Sequence, residues 1–361
     1  MDFELSEDQL ALRAAAAELL DDEASPARIR AHLASGAAFD AELWASMVEQ
    51  GWLGVSLPED RGGLGLGWVE AVVLLEELGR RTAPVPFLPT LVALQALVDA
   101  GPTGDPWVDR LVSGDAVGGV AWTSNPDDLK VGSSGGDVVE LTGRPGLVEA
   151  ASVADVAVVG SPSGVYLVDL RAVGRPVAEP AMDVTRSLSW LELDRTEAVV
   201  LGGEEASADL LDRGAVGTAA LLLGGADRVL AMATQYAKDR VQFGQPIGSF
   251  QAVKHRCADM VVDVEGMRSS AWYAAWALAS HAPDRSLAAS TAKVWCSEAA
   301  KRVMASGLQV HGGIGFTWDH DLHLYMKRSQ FEQTAYGNAA FHRDRLADLL
   351  RGRMSAGLEL I

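Results

Sequence analysis

The chain has 361 residues, enough for two or three domains at about 100 to 200 residues each. Its 48% hydrophobic and 22% charged residues lie in the globular range and exclude wholesale disorder or a fibrous repeat. With 30 basic against 49 acidic side chains the net charge is −19, which argues against a nucleic-acid or anionic-membrane surface and for an acidic, solubilising one.

The opening MDFELSEDQLALR is acidic and lacks the basic start and apolar core of a signal peptide. No apolar run approaches the roughly 20 residues of a membrane span, so a cytoplasmic location is expected. The two cysteines, Cys257 and Cys296, make neither a disulfide framework nor a zinc-ligand set, as suits a reducing compartment, and both are expected to be buried. Ser6 and Gln9 form a capping-box pattern ahead of a helical apolar stripe, and Ser25-Pro26 reads as an N-cap followed by proline at the first helical position. Residues 40–50 form a third helix that ends at Gly51. After the glycine-rich turn at 60–65, helices are expected over 68–78 and 91–98.

Between Gly114 and Val200 the texture changes to short runs, VGGVAW, DVVELTG, DVAVVG, GVYLVDL and SLSWLEL, separated by turn residues. Strands of that length and spacing predict a small sandwich or barrel rather than βαβ units. Helical periodicity then returns over 210–238, 250–280, 287–306 and 322–351, four segments long enough for a four-helix bundle. The fold class is therefore α+β: an N-terminal helical domain (1–113), a middle β-domain (114–205) and a C-terminal four-helix bundle (206–361). Trp272, Trp276 and Trp295, at helical spacings, read as core or interface residues.

Three segments carry chemistry or kinship: GWLGVSLPEDRGGLGLG followed by EELGR (51–67 and 76–80), DRVQFGQPIGSFQAVKH (239–255), and QVHGGIGFTWDHDLHLYMKR (309–328). The first reads as packing and turn geometry and receives no site. Taken singly, Arg240 reads as a solvated helix-end arginine and HGGIG as a turn between helices. In this order the three segments together resemble the acyl-CoA dehydrogenase family over nearly the whole chain. The resemblance implies a tetramer that encloses FAD and an acyl-CoA thioester, with an electron-transfer flavoprotein as electron acceptor. It further implies that Arg240, Phe243, Phe250 and Gln251 hold the ADP half of a flavin shared with a neighbouring subunit. Gln309 and the backbone of Gly312-Gly313 would hold the ADP from another chain, so that cofactor binding requires assembly. The residue types suit that role, since a pyrophosphate needs a fixed cation and glycines permit close backbone approach.

The sequence departs from the family at the base that removes the substrate α-proton. Most members carry a glutamate in a Tyr-Glu-Gly motif; aligning on Gly337 puts Tyr336 there. Others place the glutamate early in the first bundle helix, and counting back from Phe243 on that pattern reaches Gly214. A phenol with an ordinary pKa of about 10 is a poor base, and glycine has no side chain. Asp209, Asp212, Asp227, Glu265 and Glu332 are the remaining carboxylates; Asp227 is expected to face solvent or pair with Arg228 or another arginine. The catalytic residue stays unknown. The flavin-ring segments also depart, with WTSNPDDLK (122–130) and RPGLVEA (144–150) in place of the family's Thr-Glu-Pro-Gly-Ser-Asp-like loop and Trp-Ile-Thr-like strand.

Intact ADP-side residues beside a missing base resemble the short actinobacterial subunits that pair with a longer acyl-CoA dehydrogenase chain in α2β2 heterotetramers, several of which oxidise CoA-activated steroid side chains. Two other readings stay open: a self-sufficient homotetramer with a relocated base, and a cofactor-free interaction subunit.

Overall fold

The computed structural model describes residues 4–357; Met1–Phe3 of the acidic opening and the last four residues lie outside. Helices come first: α1 (Glu7–Glu23), α2 (Pro26–Ser35), α3 (Ala41–Glu49), α4 (Trp68–Arg81), α5 (Phe87–Asp99) and α6 (Asp105–Val112). Strands β1 (Gly118–Trp122), β2 (Leu129–Gly135), β3 (Val138–Glu149), β4 (Val156–Ser161) and β5 (Gly164–Asp169) follow, then the single turn α7 (Leu170–Val173) and β6 (Leu188–Gly202). The rest is α8 (Glu204–Asp239), the two-residue strands β7 (Val241–Gln242) and β8 (Gln245–Pro246), α9 (Gln251–Ala279), α10 (Arg285–His311), α11 (Leu322–Glu332) and α12 (Ala339–Ser355).

The local signals account for the element ends. Ser6 and Gln9 close the capping box of α1, Pro26 opens α2, and Asp40 caps α3 by accepting from the amides of Glu42 and Leu43. Gly51 ends that segment at φ +73°, where a side chain would be strained.

By its contacts the chain divides into two compact units. One comprises Ile29–Ala71 and Pro84–Gly214. Its sheet has the order β1-β4-β5-β6-β3-β2, with β1 and β4 parallel and every other pair antiparallel. The sheet curls: a Cβ added at Gly119 of β1 would fall 2.7 Å from Val148 of β3, although three strands separate the two in sheet order. It is one open, curled sheet rather than a sandwich. Helix α5, apolar on nearly every face, lies against β1, where Thr90 Oγ1 donates to the Gly118 carbonyl over 3.1 Å. Each fully buried leucine, such as Leu91, Leu94 and Leu97, contributes about 2 kcal/mol.

The other unit gathers the described residues of Met1–Arg28 with Val72–Ala83 and Ala215–Ile361. Glycines let α4 and α8 touch backbone to backbone, since a Cβ at Gly224 would fall on the Glu76 carbonyl. A partly buried ion cluster ties α4, α8 and α9 at that crossing. Glu76, 1% exposed, accepts from Arg268 Nη1 (2.5 Å) and Trp272 Nε1 (3.2 Å), and Asp227 pairs with both Arg268 (3.2 Å) and Arg80.

Three expectations need correction. The fourth bundle segment is not one helix over 322–351: it breaks at Gln333–Asn338, where Tyr336 (φ +53°) and Gly337 (φ +90°) both turn left-handed and Asn338 caps α12. Cys296 is buried, but Cys257 is only partly so. Helix α8 does contain an 18-residue window apolar enough to cross a membrane, with mean hydropathy 1.4. Of that window 72% is buried inside the protein, which makes it a core helix.

Candidate functional site

Helix α8 runs to Asp239, and Arg240 follows at its exposed end. The chain then reverses in the β7–β8 hairpin. Gln242 pairs with Gln245 across a two-residue loop, Phe243 and Gly244, at φ +55° and +80°. Positive φ at both loop positions is the geometry that two-residue hairpins prefer, with glycine or asparagine the usual first residue. A phenylalanine there costs roughly 1–2 kcal/mol, and its ring gains little from this chain, being 93% exposed with one edge-on contact to Phe250 at 6.1 Å. Phe250 is the N-cap residue of α9 and Gln251 its first residue, exposed, with its amide 3.4 Å from His255. Among the described residues the guanidinium of Arg240 has no hydrogen-bond or ion-pair partner.

The second segment closes α10. Gln309 is exposed within the last turn, and Gly312 takes φ +63°, ψ −141°, a conformation essentially closed to residues with a Cβ. Nothing lies within 4 Å of a Cβ built on Gly312 or Gly313, so both glycines border open space. The two segments share one end of the bundle, because Tyr236 of α8 stacks on His311 of α10 with ring centroids 4.8 Å apart. His311 also meets His320 edge-on at 4.6 Å. These three aromatics carried no signal in the sequence, since the stack joins residues from two helices far apart in the chain. Around them Ile314, Phe316 and Trp318 are exposed, with Lys327 Nζ 3.9 Å over the Trp318 ring.

A free cation, an outward aromatic and a glycine backbone facing open space fit the pyrophosphate-bearing half of a flavin dinucleotide. The ring-side segments fit less well. In the loop after β1, Thr123 Oγ1 (2.8 Å) and Asn125 Nδ2 (2.9 Å) both donate to Asp128, so these groups are turned on one another. On β3, Arg144 lies 3.9 Å over Trp190, and Glu149 pairs with the buried Arg186 at 2.6 Å.

No carboxylate stands at either expected base position. Tyr336 is partly buried in the left-handed turn, and Gly214 is buried within α8. Asp227 is held by Arg80 and Arg268 rather than Arg228, so its carboxylate is already engaged by two guanidiniums. Glu265 is 62% exposed and 3.5 Å from Arg268. Asp212 is fully buried and Asp209 partly so.

Glu332 is 2% exposed and belongs to a polar cluster under the α11–α12 turn. Lys293, fully buried, donates from Nζ to Thr218 Oγ1 (3.1 Å) and to the Glu332 carbonyl. Burial brings its pKa down to about 7 even though the Glu332 carboxylate favours the charged form. His342 Nε2 lies 2.8 Å from the Tyr336 carbonyl, which can only accept, so Nε2 donates. The hydroxyl of Ser290 then donates to Nδ1 (3.1 Å) while accepting from Arg345 (3.0 Å). Burial pushes the His342 pKa down to about 3. The cluster clamps both ends of the turn that carries Tyr336.

Residues 202–350 match the acyl-CoA dehydrogenase C-terminal domain and residues 6–104 the N-terminal domain. The chain is similar to the acyl-CoA dehydrogenase IpdE2 of Mycobacterium tuberculosis, 37% identical over 90% of this chain and 91% of that protein. It is 34% identical to the acyl-CoA dehydrogenase FadE27 of the same organism, over 83% and 86% of the two chains. Among solved structures it resembles a chain of a Tcur3481-Tcur3483 steroid ACAD variant, with TM-score 0.90, 33% identity and coverage of 97% and 99%. A chain of the ChsE4-ChsE5 complex from Mycobacterium tuberculosis superposes with TM-score 0.89 at 30% identity, covering 97% of this chain and 99% of that one.

Proposed function

The chain belongs to the acyl-CoA dehydrogenase family, oxidoreductases that act on acyl-CoA, and from that premise we propose that it is the base-lacking, ADP-gripping subunit of an α2β2 flavoenzyme. The partner is a longer acyl-CoA dehydrogenase chain that brings the base and the flavin-ring pocket. The substrate is a CoA thioester with a steroid or fatty side chain, and an electron-transfer flavoprotein in the cytoplasm takes the electrons. The single observation that carries the reading is Phe243, an aromatic held in a disfavoured backbone conformation at a hairpin tip and left 93% exposed beside an uncommitted arginine. Such strain persists where the surroundings impose it, and it is commonest at ligand clamps. Support also comes from the likeness to chains of two-component assemblies, one of them described as a steroid ACAD.

In this reading Arg240 neutralises pyrophosphate charge, Phe243 and Phe250 make an aromatic edge for the dinucleotide, and Gln251 and Gln309 supply amide hydrogen bonds. Gly312 and Gly313 let the backbone approach the phosphates. Bound FAD supplies the hydride acceptor for α,β-dehydrogenation. This chain's residues bind and orient it, and the proton is taken by a carboxylate of the partner. The three-part division at residues 113 and 205 belongs to the same proposal. The test is flavin stoichiometry of the chain purified alone and co-purified with a longer acyl-CoA dehydrogenase chain encoded nearby. The expected outcome is a colourless chain alone and about one FAD per pair of unlike chains in the complex. A yellow homo-oligomer near one FAD per chain, bleached by an acyl-CoA, refutes the proposal.

A further inference from the structure

The two ADP-side segments lie far apart in sequence, and each is a short loop hanging from the end of a long helix. What holds them in register is the buried ring of His311, immediately before Gly312 and 4% exposed. Its Nδ1 lies 2.7 Å from the Gly307 carbonyl, which can only accept, so Nδ1 carries a hydrogen and donates. That bond gives a carbonyl near the end of α10 a second donor and fixes the ring's rotation. One face of the ring stacks on Tyr236, one helical turn before Arg240, at an interplanar angle of 26°. His320, beyond the glycine loop, meets it edge-on, so the loop is pinned at both ends on one imidazole.

We infer that His311 is the positioning residue of the dinucleotide site: through the Tyr236 stack and the Gly307 bond it sets the Gly312–Gly313 backbone opposite Arg240. The inference rests on the proposed function and adds a role for a buried residue behind the glycine backbone. Two features separate it from simple core packing. The ring is sandwiched between the helix that carries Arg240 and the loop that follows the glycines, and Gly312 holds a backbone conformation that ordinary packing would not select.

The test compares His311→Ala and His311→Phe with wild type, in whichever assembly of the wild type retains FAD, by titration with FAD, ADP and FMN and by thermal melting. His311→Ala should weaken FAD and ADP about tenfold in parallel, because the competent register becomes a minor population, and leave FMN affinity unchanged. His311→Phe keeps the stack but loses the Gly307 bond and should recover part of the loss. Hydrogen exchange gives a readout independent of flavin: in His311→Ala the amides of 312–316 and of the 241–246 hairpin should speed up together. An Ala variant that binds FAD like wild type overturns the inference, and so does one that loses FMN as strongly as FAD. A wild-type protein that takes up FAD in no assembly overturns the proposed function beneath it.

Discussion

Replacing Gly313 by alanine separates a ligand-facing glycine from one that serves the fold. Gly313 is exposed in the 3-10 turn Gly312–Phe316, its φ lies outside the left-handed region, and a methyl group on it meets no atom of this chain within 4 Å. The substitution therefore costs the fold nothing. By restricting the unfolded chain it should add about 0.4–1 kcal/mol, worth a rise of about 0.5–1.3 °C in Tm for a protein of this size. If the backbone lies against a dinucleotide, the same methyl overpacks that contact by about 1–3 kcal/mol, a loss of about 5- to 150-fold in FAD affinity. Melting curves and FAD titration of the same preparation read both quantities. Raised or unchanged Tm with wild-type FAD affinity would refute the assignment of this loop. Gly312→Ala is the contrasting control: at φ +63° it should lose stability and flavin together.

Arg240→Ala should leave Tm unchanged, since the guanidinium has no partner among the described residues, and lower FAD affinity about 10- to 150-fold by removing charge-assisted hydrogen bonds; Arg240→Lys should recover part of it. Glu76→Gln leaves Arg80 and Arg268 short of a carboxylate and should cost about 2–4 kcal/mol in a urea melt, the partial exposure of both arginines keeping it below the full cost of a buried pair. Lys293 titrates near 7 when folded, against 10.5 in the unfolded chain. Between those values the unfolded state binds the extra proton, so stability should rise with pH at up to about 1.4 kcal/mol per unit. Urea midpoints of Lys293→Met should lack that component of the slope between about pH 7.5 and 9.5, inside the window that the two pKa values bound; equal slopes in variant and wild type would sink the assignment.

Much of the fold was legible because its signals are local. The box at Ser6 and Gln9, the proline opening α2, the Gly51 stop and the valine-rich strand runs need only neighbours in sequence to be read. The break in the fourth bundle helix was not: its first left-handed residue is Tyr336, and the turn is held by His342 of the helix that follows and by Lys293, which arrives from α10. The outcome for Asp227 has the same origin, since Arg80 and Arg268 reach it from distant sequence while the adjacent Arg228 does not hold it. The ADP-side segments could be found as motifs, but their meeting at one bundle end depends on the lengths of α8 and α10 and on the Tyr236–His311 stack, which no short window contains.

The strand order sets a timetable for the ribosome. The hairpins β2–β3 and β4–β5 can each close as soon as they emerge, but β6 lies between them in the sheet and pairs with both β3 and β5. Until its last residue, Gly202, is made, the nascent chain carries two separate ribbons with open inner edges, and the same strand that stitches them leads directly into α8. Sheet closure and the start of the bundle are therefore one event in synthesis. A pause in translation placed just before β6 would prolong the one interval in which those bare strand edges can find the wrong partner.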